Sequence, residues 1–213
     1  MTWNLTAIRS KVRHLTGKRS TNQLSQTDLD TYINTYYRDI FPLRVQPREL
    51  WQYNTTFTTT ADQGEDDLPS DVLVPGTDWR VDTSSSGLVE LWFTYDKDTF
   101  FGLYPDRAGS SNQQPETVLY YADKLWWGPT PDDAYTIQFS YLKRPDALSA
   151  DGDTPLKELW GLAISYGAAV QIRLDDRDFE AASSLEEVLQ YRISDIKAGQ
   201  YLSMAGKRAI PRF

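Results

Sequence analysis

The chain has 213 residues, 40% of them apolar, and carries a formal net charge of −8 with no cysteine. That length suffices for one good core or two small ones, and the lack of cysteine excludes a disulfide framework, a thiolate nucleophile and a cysteine-based metal site. No apolar run approaches the ~20 residues that span a bilayer, and Met1-Thr-Trp-Asn-Leu-Thr lacks a signal-peptide apolar region, so a soluble product of the cytoplasm with no membrane partner is expected.

In chain order, residues 5–15 read as a short amphipathic helix with Leu5, Ile8, Val12 and Leu15 on one face and Gly17 as its stop. Ser25 caps a second helix with Asp28 at its third position, and Leu29, Tyr32, Ile33, Tyr36, Tyr37 and Ile40 keep helical spacing until Pro42 ends it. From residue 50 to 145 the pattern changes to strands. Seventeen of the 28 aromatic residues lie between Trp51 and Tyr141, and aromatic residues suit a pleated, half-buried surface. Strands are expected from Trp51, over 89–95, 99–104 and 118–121, and over a hairpin from Tyr121 to Pro145. Its second strand alternates Tyr135, Ile137, Phe139 and Tyr141 with Thr136, Gln138 and Ser140. Residues 61–67, 82–87 and 106–115 read as turns or loops.

Helix returns with Thr154 as cap and Pro155 at the first helical position. Leu156, Leu159, Trp160, Ala163, Tyr166, Gly167, Val170 and Leu174 form its apolar face, and small residues such as Gly161 and Gly167 permit close packing. A last long helix runs from about residue 179 to 205. The expected fold is α+β: a helical bundle from the N- and C-terminal helices with an inserted antiparallel β-rich domain. Its parts are residues 1–45, the inserted domain 46–150, residues 151–204, and an extended basic tail, 205–213.

Catalytic chemistry finds little support. His14 is the single histidine and has no nucleophile partner or Gly-x-Ser-x-Gly elbow. The carboxylate groups Glu65-Asp66-Asp67, Asp132-Asp133, Asp151-Gly-Asp153 and Asp175-Asp176-Arg177-Asp178 sit in turns, where aspartate serves local hydrogen bonds. No catalytic residue, cofactor or metal ligand is assigned. Charge is uneven: Arg9, Lys11, Arg13, Lys18 and Arg19 precede the first acid, Asp28, and Lys207, Arg208 and Arg212 follow Met204 with no acid among them. The basic ends are either docking groups for acidic partners or solvated faces, and the acidic middle argues against general nucleic-acid binding. Trp126 and Trp127, adjacent in a strand, point to opposite faces. They are candidate subunit or partner-protein contacts, because tryptophan is enriched at protein interfaces. A carbohydrate-binding or cell-wall-degrading protein is the alternative reading of this aromatic insert. The ending Ile210-Pro-Arg-Phe213, with Lys207 and Arg208 before it, is either a segment that docks in a groove of another chain or a frayed end.

The order of elements, with Leu15-Thr-Gly-Lys18, Leu24-Ser-Gln-Thr-Asp28, Ile33-Asn-Thr-Tyr-Tyr37, Leu68-Pro-Ser-Asp-Val72 and the strand over 135–145, resembles the head-to-tail connector adaptors of tailed phages. The closest group is the tail tubular protein A type of short-tailed phages. The resemblance implies a structural virion protein made in the host cytoplasm and placed at the head–tail junction. It would bind the portal protein in a homo-oligomeric ring, usually of twelve copies, and a tail nozzle or stopper protein, with DNA passing through the channel without specific binding. Carried over, Lys207, Arg208, Ile210, Arg212 and Phe213 belong to the portal-docking tail, and the helices from Thr154 onward form the ring.

Overall fold

The computed structural model describes residues 2–83, 87–105 and 112–205. The chain divides into two compact units, one made by Met1–Leu50 with Arg144–Phe213 and the other by Trp51–Lys143.

In the first unit, helix α1 (Leu5–Thr16) is started by Asn4, whose side chain accepts the Ala7 N–H at 2.9 Å, and stopped by Gly17 in the left-handed region at φ 69°. Two of its remaining end donors are met by the returning chain: the N–H groups of Leu5 and Thr6 donate to the carbonyls of Asp153 and Asp151. Helix α2 (Gln26–Thr35) is capped as expected, the Ser25 hydroxyl accepting the Asp28 N–H at 3.1 Å and donating to its carboxylate at 2.6 Å.

Pro42 does not end this helix. The backbone widens into a π turn over Tyr36–Ile40 and continues as α3 (Phe41–Val45), with Pro42 in its first turn. The Phe41 N–H reaches back five residues to the Tyr36 carbonyl. The wider turn relieves the clash a proline ring makes with the carbonyl four residues earlier. The helix stops instead at Gln46, left-handed at φ 50°.

A second correction concerns Thr154 and Pro155, which lie outside any helix. The chain there is held extended: Leu148 exchanges backbone hydrogen bonds with the Asn34 amide (2.8 and 3.0 Å), and the Leu156 N–H donates to the Tyr37 hydroxyl at 3.0 Å. A 3-10 turn over Glu158–Trp160 then leads into α5 (Gly161–Asp175). Leu156 and Leu159 are therefore exposed. Helix α5 packs against α1, α2 and α6 (Phe179–Ala205). Its glycines allow this closeness: a Cβ at Gly161 would lie under 3.0 Å from Trp3, and one at Gly167 under 3.0 Å from the Tyr36 ring. Helix α6 buries the seam Ala182, Leu189, Ile193 and Ile196, and exposes Phe179 and Tyr191.

The second unit is a seven-stranded sheet: β1 (Trp51–Thr58), β2 (Glu65–Asp67), β3 (Val72–Thr83), β4 (Gly87–Thr94), β5 (Thr117–Tyr121), β6 (Lys124–Gly128) and β7 (Thr136–Lys143), in the order β1-β7-β3-β4-β5-β6-β2. The sheet is not wholly antiparallel as expected, for β4 and β5 are parallel, Trp92 opposite Thr117. Parallel neighbours need a crossover, usually helical. Here it includes α4 (Lys97–Leu103), in the stretch read from the sequence as a strand. Asp96 decides the matter: its carboxylate accepts the N–H groups of Asp98 and Thr99 and the Thr99 hydroxyl, a strong helix start that overrides the β preference of Phe100 and Phe101.

The core of this unit gathers Trp79, Trp127, Phe139, Val81, Ile137 and Leu91 with Val118 and Leu125. Strand β3 supplies its centre despite carrying Pro75, Gly76 and Asp78, because register shifts against β7 between Val72 and Val74 and between Pro75 and Trp79 absorb them.

Candidate interaction surfaces

Each acidic cluster already serves the fold. Glu65 pairs with Lys124 at 2.6 Å, and Asp66 accepts the Trp127 indole N–H at 2.7 Å. Asp132 accepts the Tyr135 hydroxyl (2.7 Å) and Asp175 the Tyr32 hydroxyl (2.5 Å), while Asp176 pairs with Lys18 and Asp178 with Arg173. Asp151 takes an Arg9 N–H at 2.5 Å. Asp153 accepts the N–H groups of Ala150 and Ser149, which hold its carboxyl below the usual aspartate range. Among the described residues no three His, Asp or Glu side chains converge as a metal-ligand set. His14 is exposed on α1.

The basic start of the chain turns out to be internal fastening. Arg9, its side chain only 11% exposed, forks onto Asp30 at 2.5 and 2.7 Å and also reaches Asp151. Arg13 donates to the carbonyls of Lys18, Ser20 and Leu24, fixing the connection between α1 and α2. Lys11 lies over the Tyr166 ring at 5.7 Å. Four of the five cations before Asp28 thus have partners within the chain, which is neither docking nor plain solvation. The sequence signal for this was present, since Asp30, Asp151 and Asp176 supply the matching charge, but their approach is a tertiary fact.

Buried or carboxylate-bound phenols form a second pattern. The Asp175 hydrogen bond pushes Tyr32 up to about 12, and Asp132 does the same for Tyr135. Burial pushes Tyr36 up to about 12, and burial with the Asp71 hydrogen bond does so for Tyr141. Because these values are raised, the stability they carry is complete below the unfolded value of about 10 and is lost as pH rises towards 12. A spectrophotometric titration is expected to leave at least four of the 13 tyrosines un-ionised past pH 11, with the ionisation of buried Tyr36 coinciding with unfolding. Ionisation of all 13 near pH 10 with an unchanged circular dichroism spectrum would contradict the assignment.

The candidate contact pair separates in kind. Trp127 is a core residue at 1% exposure, opposite Val118 and edge-on to Trp79, and has no surface to offer a partner. Trp126 is half-buried on the other face of β6, its indole N–H donating to the Tyr121 carbonyl at 3.1 Å and its ring meeting Phe101 of α4 at 5.5 Å. Exposed Tyr121, whose carbonyl accepts that N–H, carries Lys97 over its ring. The tail residues Lys207, Arg208, Ile210, Arg212 and Phe213 lie outside the described residues.

The two units differ in charge. Residues 51–143 hold 15 acids against 5 bases, a net of −10, and the rest of the chain holds 17 bases against 15 acids. The whole surplus therefore belongs to the β unit. In the helical unit, an apolar groove with a volume of about 390 Å³ runs between α6 and the start of α5. Its signal in the sequence was Leu159, assigned there to a buried face and exposed in the structure.

Both units fall within one family. The SU10 adaptor protein family matches residues 3–209. The chain belongs to that family. No curated protein matches it. The resemblance to phage head-to-tail adaptors is thereby borne out, and this adaptor is a structural component of a virion. No helix among the described residues is long and apolar enough to cross a membrane.

Proposed function

We propose that this adaptor binds the portal protein as a homo-oligomeric ring, usually of twelve copies in such phages, and joins it to a nozzle or stopper protein of the tail. The single observation that carries the reading is the family match over residues 3–209, which takes in the helical and the β unit alike. In this reading the helices from both ends of the chain act as one bundle. Helices α5 and α6 form the ring, and residues 207–213 dock on the portal with Lys207, Arg208 and Arg212 meeting acids and Ile210 and Phe213 meeting apolar surface. The β unit faces the tail, with Trp126 in a subunit or tail contact. Its net charge of −10 suits a channel wall, because a negative lining lets DNA slide without specific binding.

Deleting residues 207–213 tests the docking step. The shortened chain is expected to fold with an unchanged circular dichroism spectrum and to lose capture on immobilised portal rings. Undiminished capture would remove the tail from the interface.

A further inference from the structure

A second cavity of the helical unit, with a volume of about 510 Å³, lies between α3 and the later turns of α6. Leu43, Arg44 and Gln46 line one side with Arg48, which opens the 3-10 turn Arg48–Leu50, and Lys197 lines the other. Leu43 is 48% exposed there.

The charge of this cavity is one-sided: three cations line it and no acid does. Arg44 is already taken, for it pairs with Glu186. Arg48 and Lys197 are exposed, and their side chains have no ion-pair or hydrogen-bond partner among the described residues. The basic start of the chain behaves differently, since there Arg9, Arg13 and Lys18 are fastened to groups of the same unit. Cations gathered around one cavity repel one another, and an anionic group placed among them removes that cost.

Every copy of the chain carries a source of such anions. The β unit has a net charge of −10, whereas the unit that holds the cavity has an excess of bases. Asp67, Asp82, Glu90 and Glu116 stand exposed on the β unit, their carboxylates without ion-pair or hydrogen-bond partners among the described residues. In a ring of identical copies the contact is head-to-tail, so each copy offers one surface forward and a different one back. Cavity against β unit is a match of opposite sign that repeats around such a ring. Nucleic acid is the poorer occupant, because each copy that brought a cavity to the phosphates would also bring the −10 of its β unit.

We propose that the α3–α6 cavity receives carboxylates from the β unit of a neighbouring copy, so that Arg48 and Lys197 tie adaptor to adaptor. The inference deepens the homo-oligomeric ring reading above and rests on it.

Lys197 supplies the test. Adaptor made of equal parts ordinary and 15N-labelled full chain is assembled on immobilised portal rings and treated with a water-soluble carbodiimide. The reagent activates a carboxylate; a lysine amine in contact with it then displaces the urea, loses a proton and forms an amide. Mass spectrometry is expected to find Lys197 joined to an Asp or Glu of residues 51–143, with mixed heavy–light links at the frequency of random pairing between separate copies. Lys197→Arg keeps the charge but lacks the amine, so it should lose the link and assemble as the parent does. Arg48→Glu with Lys197→Glu alters exposed positions only and should keep the parent circular dichroism spectrum. It is expected to need at least about tenfold more protein to half-fill the portal, because like charges set face to face repel. Absence of a Lys197 link overturns the proposal and leaves the ring reading standing. So do links confined to single chains, links only to acids of the helical unit or the portal, and unchanged half-filling by the reversed variant. Duplex DNA retained by the parent and released by the reversed variant would assign the cavity to phosphate and likewise overturn it. A single copy of the adaptor on each portal ring, or none, would bring down the ring reading and the proposal together.

Discussion

Replacing Trp79 by alanine is expected to be among the most damaging single changes in the β unit. The indole is fully buried and stacked on Phe139 at 4.5 Å and on Phe93 at 5.7 Å, with Trp127 edge-on at 6.4 Å. Its N–H donates to the Gly76 carbonyl at 2.7 Å. That bond holds the irregular stretch by which β3 carries Pro75, Gly76 and Asp78 through the middle of the sheet. Truncation removes one of the two indoles of the core and takes away the donor to a buried carbonyl. Losses of about 3–5 kcal/mol are usual for Trp→Ala in cores, and the orphaned acceptor places this one at the upper end. Against a total of roughly 5–15 kcal/mol for a domain, the β unit would be left close to unfolding. Trp79→Phe keeps the stacking and loses the hydrogen bond, so it should cost about half as much. Urea denaturation followed by near-ultraviolet circular dichroism reads both. A Trp79→Ala midpoint within error of the parent would show that the sheet does not depend on this residue.

Gly167→Val is the corresponding change in the helical unit. Any Cβ there enters the Tyr36 ring. Tyr36 cannot retreat easily: it is fully buried in the π turn, with Phe41 at 6.4 Å and Trp160 beyond it against Phe41 at 5.2 Å. Overpacking typically costs about 1–3 kcal/mol and more where neighbours are rigid, so the valine is expected at or above the top of that range. Gly199→Ala is the contrast. With open space at its Cβ it should gain about 1 kcal/mol from helix propensity alone. Tyr36→Leu should recover part of the Gly167→Val loss in a double-mutant cycle. Equal thermal midpoints for Gly167→Val and Gly199→Ala would refute this account of α5.

What the sequence disclosed follows the reach of its signals. Gly17 and Ser25 act through hydrogen bonds or backbone angles within a few residues, so the end of α1 and the start of α2 could be read directly. Gly161 and Gly167 marked close packing, though not the aromatic rings that fill the space. Pro42 misled because a π turn, invisible to a 3.6-residue pattern, absorbed it. Strand β3 was passed over because Pro75, Gly76 and Asp78 look like a turn unless the partner strand that tolerates the register shift is known. Asp96 carried a readable cap signal that the aromatic run after it concealed. Of the candidate surfaces, adjacency of Trp126 and Trp127 gave opposite faces, but which one is covered depended on packing against Trp79 from the distant strand β3. The groove was out of reach for the same reason: its walls are joined by packing between α5 and α6, and Leu159 looked like one more core residue.

The most direct measurement is the native mass and composition of the tagged adaptor purified from a lysate producing its virus. A large assembly that contains the portal and many copies of this chain, lost when residues 207–213 are deleted, is the expected result. A lone monomer without portal, in a lysate full of assembled heads, would contradict the adaptor ring proposed here.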